Sequence, residues 1–311
     1  MTRRRRDMDR ILLVALLLAA LGAHAGTSDF EDGARFYESR NYAAALAAFE
    51  RAATQGDGKA QYNLGFMYAH AQGVRQDFDE AARWYEKAAA QGDVRSQFSL
   101  AAMYLQGRGR AADYRQAVFW FEKAAAQNNA AAQFNVGSMY ANGQGVAQDY
   151  QQALAWYSKA ANLGNTLAQF NLGSMYYKGE GVARDHEVAR SWFERAAAGG
   201  HALAQFNLAV MYFKGEGAAQ DLEQALRLFL AAAAQGQAPA QSNLAYMYAN
   251  GLGVAQNDVE AHKWWTLAGV SGIEEARQPR AKLEERMSRD QLADAYRRAS
   301  DWVKNPNPGP H

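Results

Sequence analysis

Few residues of this 311-residue chain are placed to do covalent chemistry, while several rows of side chains are placed to bind. There is no cysteine, which removes thiol catalysis, disulfides, thiolate metal sites and a lipid-modified N-terminal cysteine. Of the six histidines, His24 and His311 lie near the two ends of the chain. The other four, His70, His186, His201 and His262, form no His-x-x-x-His pair, so no zinc or other metal site is expected. No Gly-x-Ser-x-Gly elbow or Ser-x-x-Lys pair stands out in a strand-to-helix context. Carboxylates do recur, at Asp77, Asp113, Asp149, Asp185 and Asp221, with Asn257 continuing the series. Such a row could serve acid–base work or calcium, or it could cap helices. Gly-x-Gly-Val segments, such as Gly143-Gln144-Gly145-Val146 and Gly179-Glu180-Gly181-Val182, could cradle phosphate, but none ends in Lys-Ser/Thr. The binding candidates are an aromatic row, Tyr62, Phe98, Phe134, Phe170 and Phe206, and beside it an amide row, Asn63, Asn135, Asn171, Asn207 and Asn243. Ser99 interrupts the amides, and Ser242 ends the aromatics. One turn along stand Tyr177 and Phe213, then Lys178 and Lys214. Amides can pair with both N–H and C=O of a peptide backbone, rings give sequence-tolerant apolar contact, and the lysines could hold a carboxylate. Both rows could instead be packing features.

The elements that must position these rows repeat every 36 residues. Asn63-Leu64-Gly65-Phe66-Met67-Tyr68 recurs as Asn135-Val136-Gly137-Ser138-Met139-Tyr140 and as Asn171-Leu172-Gly173-Ser174-Met175-Tyr176, with three weaker copies at the same step. A fixed period of this length marks stacked structural repeats. Each repeat reads as two helices. The first carries Ala60, Leu64, Gly65 and Tyr68 on one face, and mid-helix Gly65 predicts close packing on the small Ala81 and Ala88 of the second. The second starts at the Asp/Asn series, and a glutamate or glutamine three residues later in five of six repeats suggests a capping box. Recurrence at a helix start favours capping over catalysis. Its buried stripe is expected to run Ala81, Trp84, Tyr85, Ala88, with tryptophan again at 120, 156, 192 and 264 and Leu228 in its place once. The 66 alanines and 27 glycines are then close-packing and turn positions. Residues 28–55 make a first repeat without the Gly-x-Gly-Val insertion, and two further helices, about 273–286 and 288–303, should close the array.

The repeats resemble Sel-one-like repeats, relatives of the tetratricopeptide repeat. The resemblance is carried by Asn63-Leu64-Gly65 with Tyr68, the Gly-x-Gly-Val turns, the Asp77-to-Ala81 and Asp149-to-Ala153 spacing, Trp84-Tyr85 and Ala88-Ala89, and it covers roughly residues 30–272. Departures are Ala101, Ala209 and Ala245 for glycine, Arg110 and Ala218 for valine, and Ala71 for the first turn glycine. The resemblance implies an all-α, right-handed superhelical solenoid of antiparallel helix pairs with C-terminal capping helices. It implies a scaffold that assembles protein complexes, with the first helices lining a concave groove, so that the aromatic and amide rows would face a partner. Cysteine-rich relatives are associated with penicillin binding, but this chain lacks their cysteines and that role is not carried over.

The N-terminus reads as export machinery. Five arginines precede an unbroken apolar run from Ile11 to Leu21, and Ala23-His24-Ala25 offers a small-x-small cleavage site. An uncleaved anchor is the alternative, and Met8 could serve as the start. Asp7 and Met8 argue against a twin-arginine signal. Cleavage after Ala25 turns a net +1 into 28 basic against 30 acidic residues, so no nucleic-acid partner is expected. The expected organisation is a signal peptide over 1–25, seven repeats over 26–272, capping helices over 273–304 and a disordered tail over 305–311. The functional expectation is an exported, non-enzymatic scaffold without cofactor, monomeric, periplasmic or else extracellular, binding a protein or peptide. The alternatives are a secreted effector or adhesion factor acting on host cells, a glycan-binding module, and a peptidoglycan or β-lactam hydrolase.

Overall fold

The computed structural model describes residues 28–305, so the expected signal peptide lies outside the described residues, as does all of the tail beyond Asn305. The described residues carry sixteen α-helices and no strand. They are α1 (Asp29–Glu38), α2 (Tyr42–Thr54), α3 (Gly58–Ala69), α4 (Phe78–Ala90), α5 (Val94–Gln106), α6 (Tyr114–Ala126), α7 (Ala130–Asn142) and α8 (Tyr150–Asn162). There follow α9 (Thr166–Lys178), α10 (His186–Ala198), α11 (Ala202–Lys214), α12 (Leu222–Ala234), α13 (Ala238–Asn250), α14 (Asp258–Val270), a 3₁₀ turn (Glu274–Ala276), α15 (Arg277–Glu284) and α16 (Arg289–Lys304). The architecture is the expected all-α succession of helix pairs. The chain forms two compact units. One runs up to Ala132 and takes in Gln144–Val146, and the other holds Gln133–Gly143 and everything from Ala147.

Within each unit the pairs pack through one repeated contact. The expectation that Gly65 meets Ala81 and Ala88 is corrected by the structure, which puts the Tyr85 ring there. A Cβ on Gly65 would lie 2.7 Å from that ring, and Gly137, Gly173 and Gly33 meet Tyr157, Phe193 and Phe49 in the same way. The glycine therefore makes room for an aromatic face, which compensates the roughly 1 kcal/mol that mid-helix glycine costs. The deepest ring row is accordingly Tyr85, Phe121, Tyr157, Phe193 and Phe229, each at most 4% exposed. The tryptophans one residue earlier are displaced from that centre. Trp84, Trp120, Trp156 and Trp192 are only half-buried. Lys87, Lys159 and Arg195 stack on three of them, with the cation 4.0 Å from the Trp84 and Trp156 rings and 4.6 Å from Trp192. Trp264 alone in that series is fully buried.

The punctuation is as the sequence suggests, with one exception. Asp77, Asp113, Asp149, Asp185, Asp221 and Asn257 each cap a second helix by accepting the N–H three residues on. The full reciprocal capping box is formed by Ser28–Glu31 and Ser288–Gln291. In the Gly-x-Gly turns the second glycine leaves no space for a side chain: a Cβ on Gly145 would sit 2.4 Å from the Tyr114 backbone, and its φ is +75°. Ala71, standing for a turn glycine, takes φ +55° all the same. The C-terminal cap is shorter than expected in its first helix. It is held by Trp302 on Trp264, with ring centroids 4.8 Å apart, and by fully buried His262, whose Nε2 is 2.8 Å from Glu284.

Candidate functional site

The candidate residues lie on the first helices and are half-buried, apart from exposed Lys178 and Lys214. In the first compact unit, Tyr62 rests on Tyr85 at 5.8 Å and carries the Arg95 guanidinium 3.9 Å from its ring. Phe98 meets Phe121 edge-on at 5.4 Å. In the second unit Phe134, Phe170 and Phe206 rest on Tyr157, Phe193 and Phe229 at 5.7, 5.8 and 5.9 Å. Every ring of the aromatic row thus uses one side for packing. Phe170 is also stacked on His201 at 4.5 Å.

Four of the candidates come together in the second unit. Phe170, Asn171, Lys178 and Asn207 line a cleft of about 390 Å³ with Tyr150, Tyr157, Ser174 and Glu180. Tyr157 supplies a hydroxyl to this wall, 3.1 Å from Ser138. Burial raises its pKa, and the neighbouring Ser138 and Asn171 side chains oppose the shift. Asn207 makes no side-chain hydrogen bond among the described residues, and neither do Asn243 and Asn63. Asn135 is half-buried and engaged within the fold.

The charges around the cleft are largely self-compensated. Lys178 stands 3.6 Å from Glu180, and Lys214 stands 3.6 Å from Glu216. Tyr177 donates to Glu216 at 2.8 Å, and burial followed by that carboxylate raises its pKa. Phe213 turns toward Tyr246, with centroids 6.4 Å apart. His201 caps α11 by accepting the Ala204 N–H on Nδ1 at 3.2 Å, and burial lowers its pKa. No group of three or more His, Cys, Asp or Glu side chains among the described residues could hold a metal ion. No described helix is long and apolar enough to cross a membrane. The arrangement is one for contact: amides, hydroxyls and ring edges on a shallow wall.

The Sel1 repeat model matches seven consecutive segments, residues 30–57, 58–93, 94–129, 130–165, 166–201, 202–237 and 238–269. The chain belongs to the Sel1 repeat family. As a Sel1 repeat protein it falls among scaffolds whose usual role is protein interaction. It is similar to the crystal structure of a protective antigen present in uropathogenic Escherichia coli strains, which displays an SLR fold. The two are 34% identical with a TM-score of 0.83, over 92% of this chain and 64% of that one. The chain therefore spans just under two thirds of the antigen's length. It is also similar to a Sel1 repeat protein from Oxalobacter formigenes, at 32% identity and a TM-score of 0.67, covering 78% of this chain and 97% of that one. A comparison with curated proteins finds no match.

Two features of the site escape a reading of rows alone. One is Tyr157, whose hydroxyl belongs to the cleft although its ring belongs to the core. Its signal is the Tyr/Phe alternation within the ring row. The other is a buried glutamine row. Gln61, Gln97 and Gln169 donate to Ala53, Ala89 and Ala161 carbonyls at 3.1–3.2 Å, and Gln91, Gln127 and Gln235 donate onward to Gln61, Gln97 and Gln205 at 2.8–2.9 Å. The 36-residue spacing of these glutamines is plain in the sequence, but their amide-to-amide contact is not.

Proposed function

We propose that the chain is an exported, non-enzymatic scaffold that holds a segment of a partner protein against the first-helix face of its repeats. The observation that carries this reading is the Asn207 amide: half-buried on the wall of the cleft that Phe170 also lines, with no side-chain hydrogen bond among the described residues. Half-buried polar groups without internal partners are costly unless water or a ligand completes them. A photo-crosslinking residue in place of Ser174, activated in intact cells, should yield a discrete protein adduct. Asn207→Ala should remove that adduct while far-UV circular dichroism stays native. An adduct that survives Asn207→Ala, or none at all, refutes the reading.

Export rests on the arginine-led apolar run and the Ala23-His24-Ala25 site. Release by osmotic shock is the expected result, with the leader removed after Ala25, and retention in the cytoplasm refutes it. A second reading, a factor presented to a host, is favoured by the similarity to a protective antigen, since protection requires exposure to host immunity. Protein recovered from the culture medium or the cell surface would select that reading over a periplasmic scaffold.

A further inference from the structure

The edge of the first-helix face, where each first helix begins, differs in chemistry between the two compact units. In the first unit that edge is ionic. Asp57 and Asp93 cap α3 and α5, and Lys59 and Arg95 follow two residues later. Lys59 lies 5.9 Å from the Phe30 ring, and Arg95 lies 3.9 Å from the Tyr62 ring and 3.3 Å from Asp93. In the second unit α9 and α11 have lost the charge at both positions. Asn165 and His201 are their caps, and Leu167 and Leu203 follow. The capping hydrogen bond itself is kept: Asn165 and His201 accept the N–H groups of Ala168 and Ala204 at 2.9 and 3.2 Å. A helix start calls for a polar cap and favours a carboxylate there, so it accounts neither for the missing carboxylates nor for two leucines left 47% and 45% exposed. Leu163, at the C-cap of α8 four residues before Leu167, adds a third apolar side chain, 51% exposed. Apolar side chains gathered at one edge in this way mark a contact surface.

We propose that this leucine edge of the second unit is where the partner segment is held, and that the segment presents apolar side chains and no charged ones to it. This rests on the scaffold reading above and specifies its occupant. Charge complementarity decides the choice. A charged occupant finds a counter-ion at an edge like that of Asp93 and Arg95, whereas the leucine edge would strip its water and return nothing. Further along the same first helices the cations are already engaged, Lys178 with Glu180 and Lys214 with Glu216, both at 3.6 Å. An apolar segment removes leucine surface from water together with its own. Asn171 and Asn207, one turn along from Leu167 and Leu203 and lining the cleft, can serve its main chain, which needs donors and acceptors but brings no charge.

The test gives the second unit the edge of the first. Leu167→Lys combined with Leu203→Arg copies Lys59 and Arg95. A phage-displayed library of random dodecapeptides would be panned on the wild-type protein and, separately, on the double variant. Selected peptides would then be synthesised and measured by fluorescence anisotropy. Wild type should select a family rich in leucine, isoleucine, valine and phenylalanine and free of charged residues. That family should bind the double variant about tenfold more weakly and Leu203→Ala about threefold more weakly. Arg95→Leu in the first unit should leave it within about twofold. The double variant should instead select peptides carrying aspartate or glutamate. Thermal unfolding monitors the fold, and Leu203→Ala, which introduces no charge, decides the question should the double variant not fold. Apolar peptides that bind Leu203→Ala and the double variant as they bind wild type would overturn the leucine edge and leave the scaffold reading standing. Selection of charged peptides alone by wild type would overturn the apolar occupant. No enrichment over an unrelated protein would overturn the scaffold reading as well.

Discussion

Replacing Gly199 by glutamine, together with Thr166 by alanine, should stabilise the protein. In three repeats a glutamine at the C-cap of the second helix donates to a glutamine on the first helix of the same repeat, as Gln91 does to Gln61 and Gln235 to Gln205, both at 2.8 Å. Gln169 still donates to Ala161, but its Oε1 is buried without a hydrogen-bond partner, because Gly199 occupies the position from which the bridge would come. The backbone there is ready. Gly199 has φ −76° and ψ 6°, against −84° and 0° at Gln91. The obstacle is Thr166, whose Cγ2 would lie 2.3 Å from a new Cβ. The residue facing Gln235 in the same way is Ala202, which is why Thr166→Ala clears the space. The bridge should contribute about 1 kcal/mol, and removing a glycine from the unfolded chain about 0.5 kcal/mol more. Measured against Thr166→Ala alone, the double variant should gain roughly 1–2 kcal/mol, or roughly 2–3 °C in Tm for a chain of this size. Gly199→Gln alone should gain little or lose stability. Thermal and urea unfolding of all four proteins form the cycle. A double variant no more stable than Thr166→Ala would refute the bridge argument, and a single Gly199→Gln variant as stable as the double would refute the steric one.

Three further outcomes can be measured by urea unfolding. Gly173→Ala places a Cβ 2.7 Å from the Phe193 ring, so it should destabilise by about 1–2 kcal/mol despite the better helix propensity of alanine, whereas Ala209→Gly in the next repeat should lose only about 1 kcal/mol. Asp185→Ala removes the N-cap of α10, which accepts the Val188 N–H at 3.0 Å, and should cost about 1 kcal/mol, most of it retained in Asp185→Asn. His201 has its pKa lowered by burial, so the unfolded chain takes the proton more readily. Its contribution is therefore complete above the ordinary histidine range and falls as pH drops through that range toward the lowered folded value. His201→Asn, which copies the Asn165 cap, should flatten stability between about pH 7 and pH 5, and an unchanged slope would assign the dependence elsewhere.

Much of the fold was legible because its determinants are local. Asp149 can be read as a cap from its place before an apolar periodic stretch, and Gly143-Gln144-Gly145 can be read as a turn from glycine's freedom at positive φ. What was misread depends on helix-to-helix geometry. Trp84 and Tyr85 are adjacent and both aromatic, so periodicity places either on the inner face. The structure selects tyrosine because its ring fits over Gly65, while the larger indole lies at the margin with Lys87 above it. The candidate site was legible as a set of rows but not as a cleft. Asn171 and Asn207 have the same sequence context, and nothing in it shows that both line one cleft with the Tyr157 side chain of another helix.

The difference between a row and a cleft shows where functional information resides in a repeat protein. A residue present at every copy of an offset is explained by the helix pair itself: the glycine by a ring, the aspartate by orphan N–H groups, the buried glutamine by a carbonyl. Binding specificity has to come from offsets at which the copies differ while the fold does not. Two such differences fall in the second compact unit: Gly199 against Gln235 at the bridge, and Leu167 and Leu203 at the position held by Lys59 and Arg95 in the first unit. Each exchanges an internal partner or a charge for an unfilled carbonyl or an exposed apolar surface, and in an isolated chain each costs stability. The leucines lie on the first-helix face, where a partner can cover them. The unfilled carbonyl is buried and offers a ligand nothing. Restoring the bridge should therefore raise stability without touching partner capture, whereas Leu203→Arg should weaken partner capture with little effect on stability. Thermal unfolding and crosslinking yield on the same two variants would separate a weak joint from a binding position.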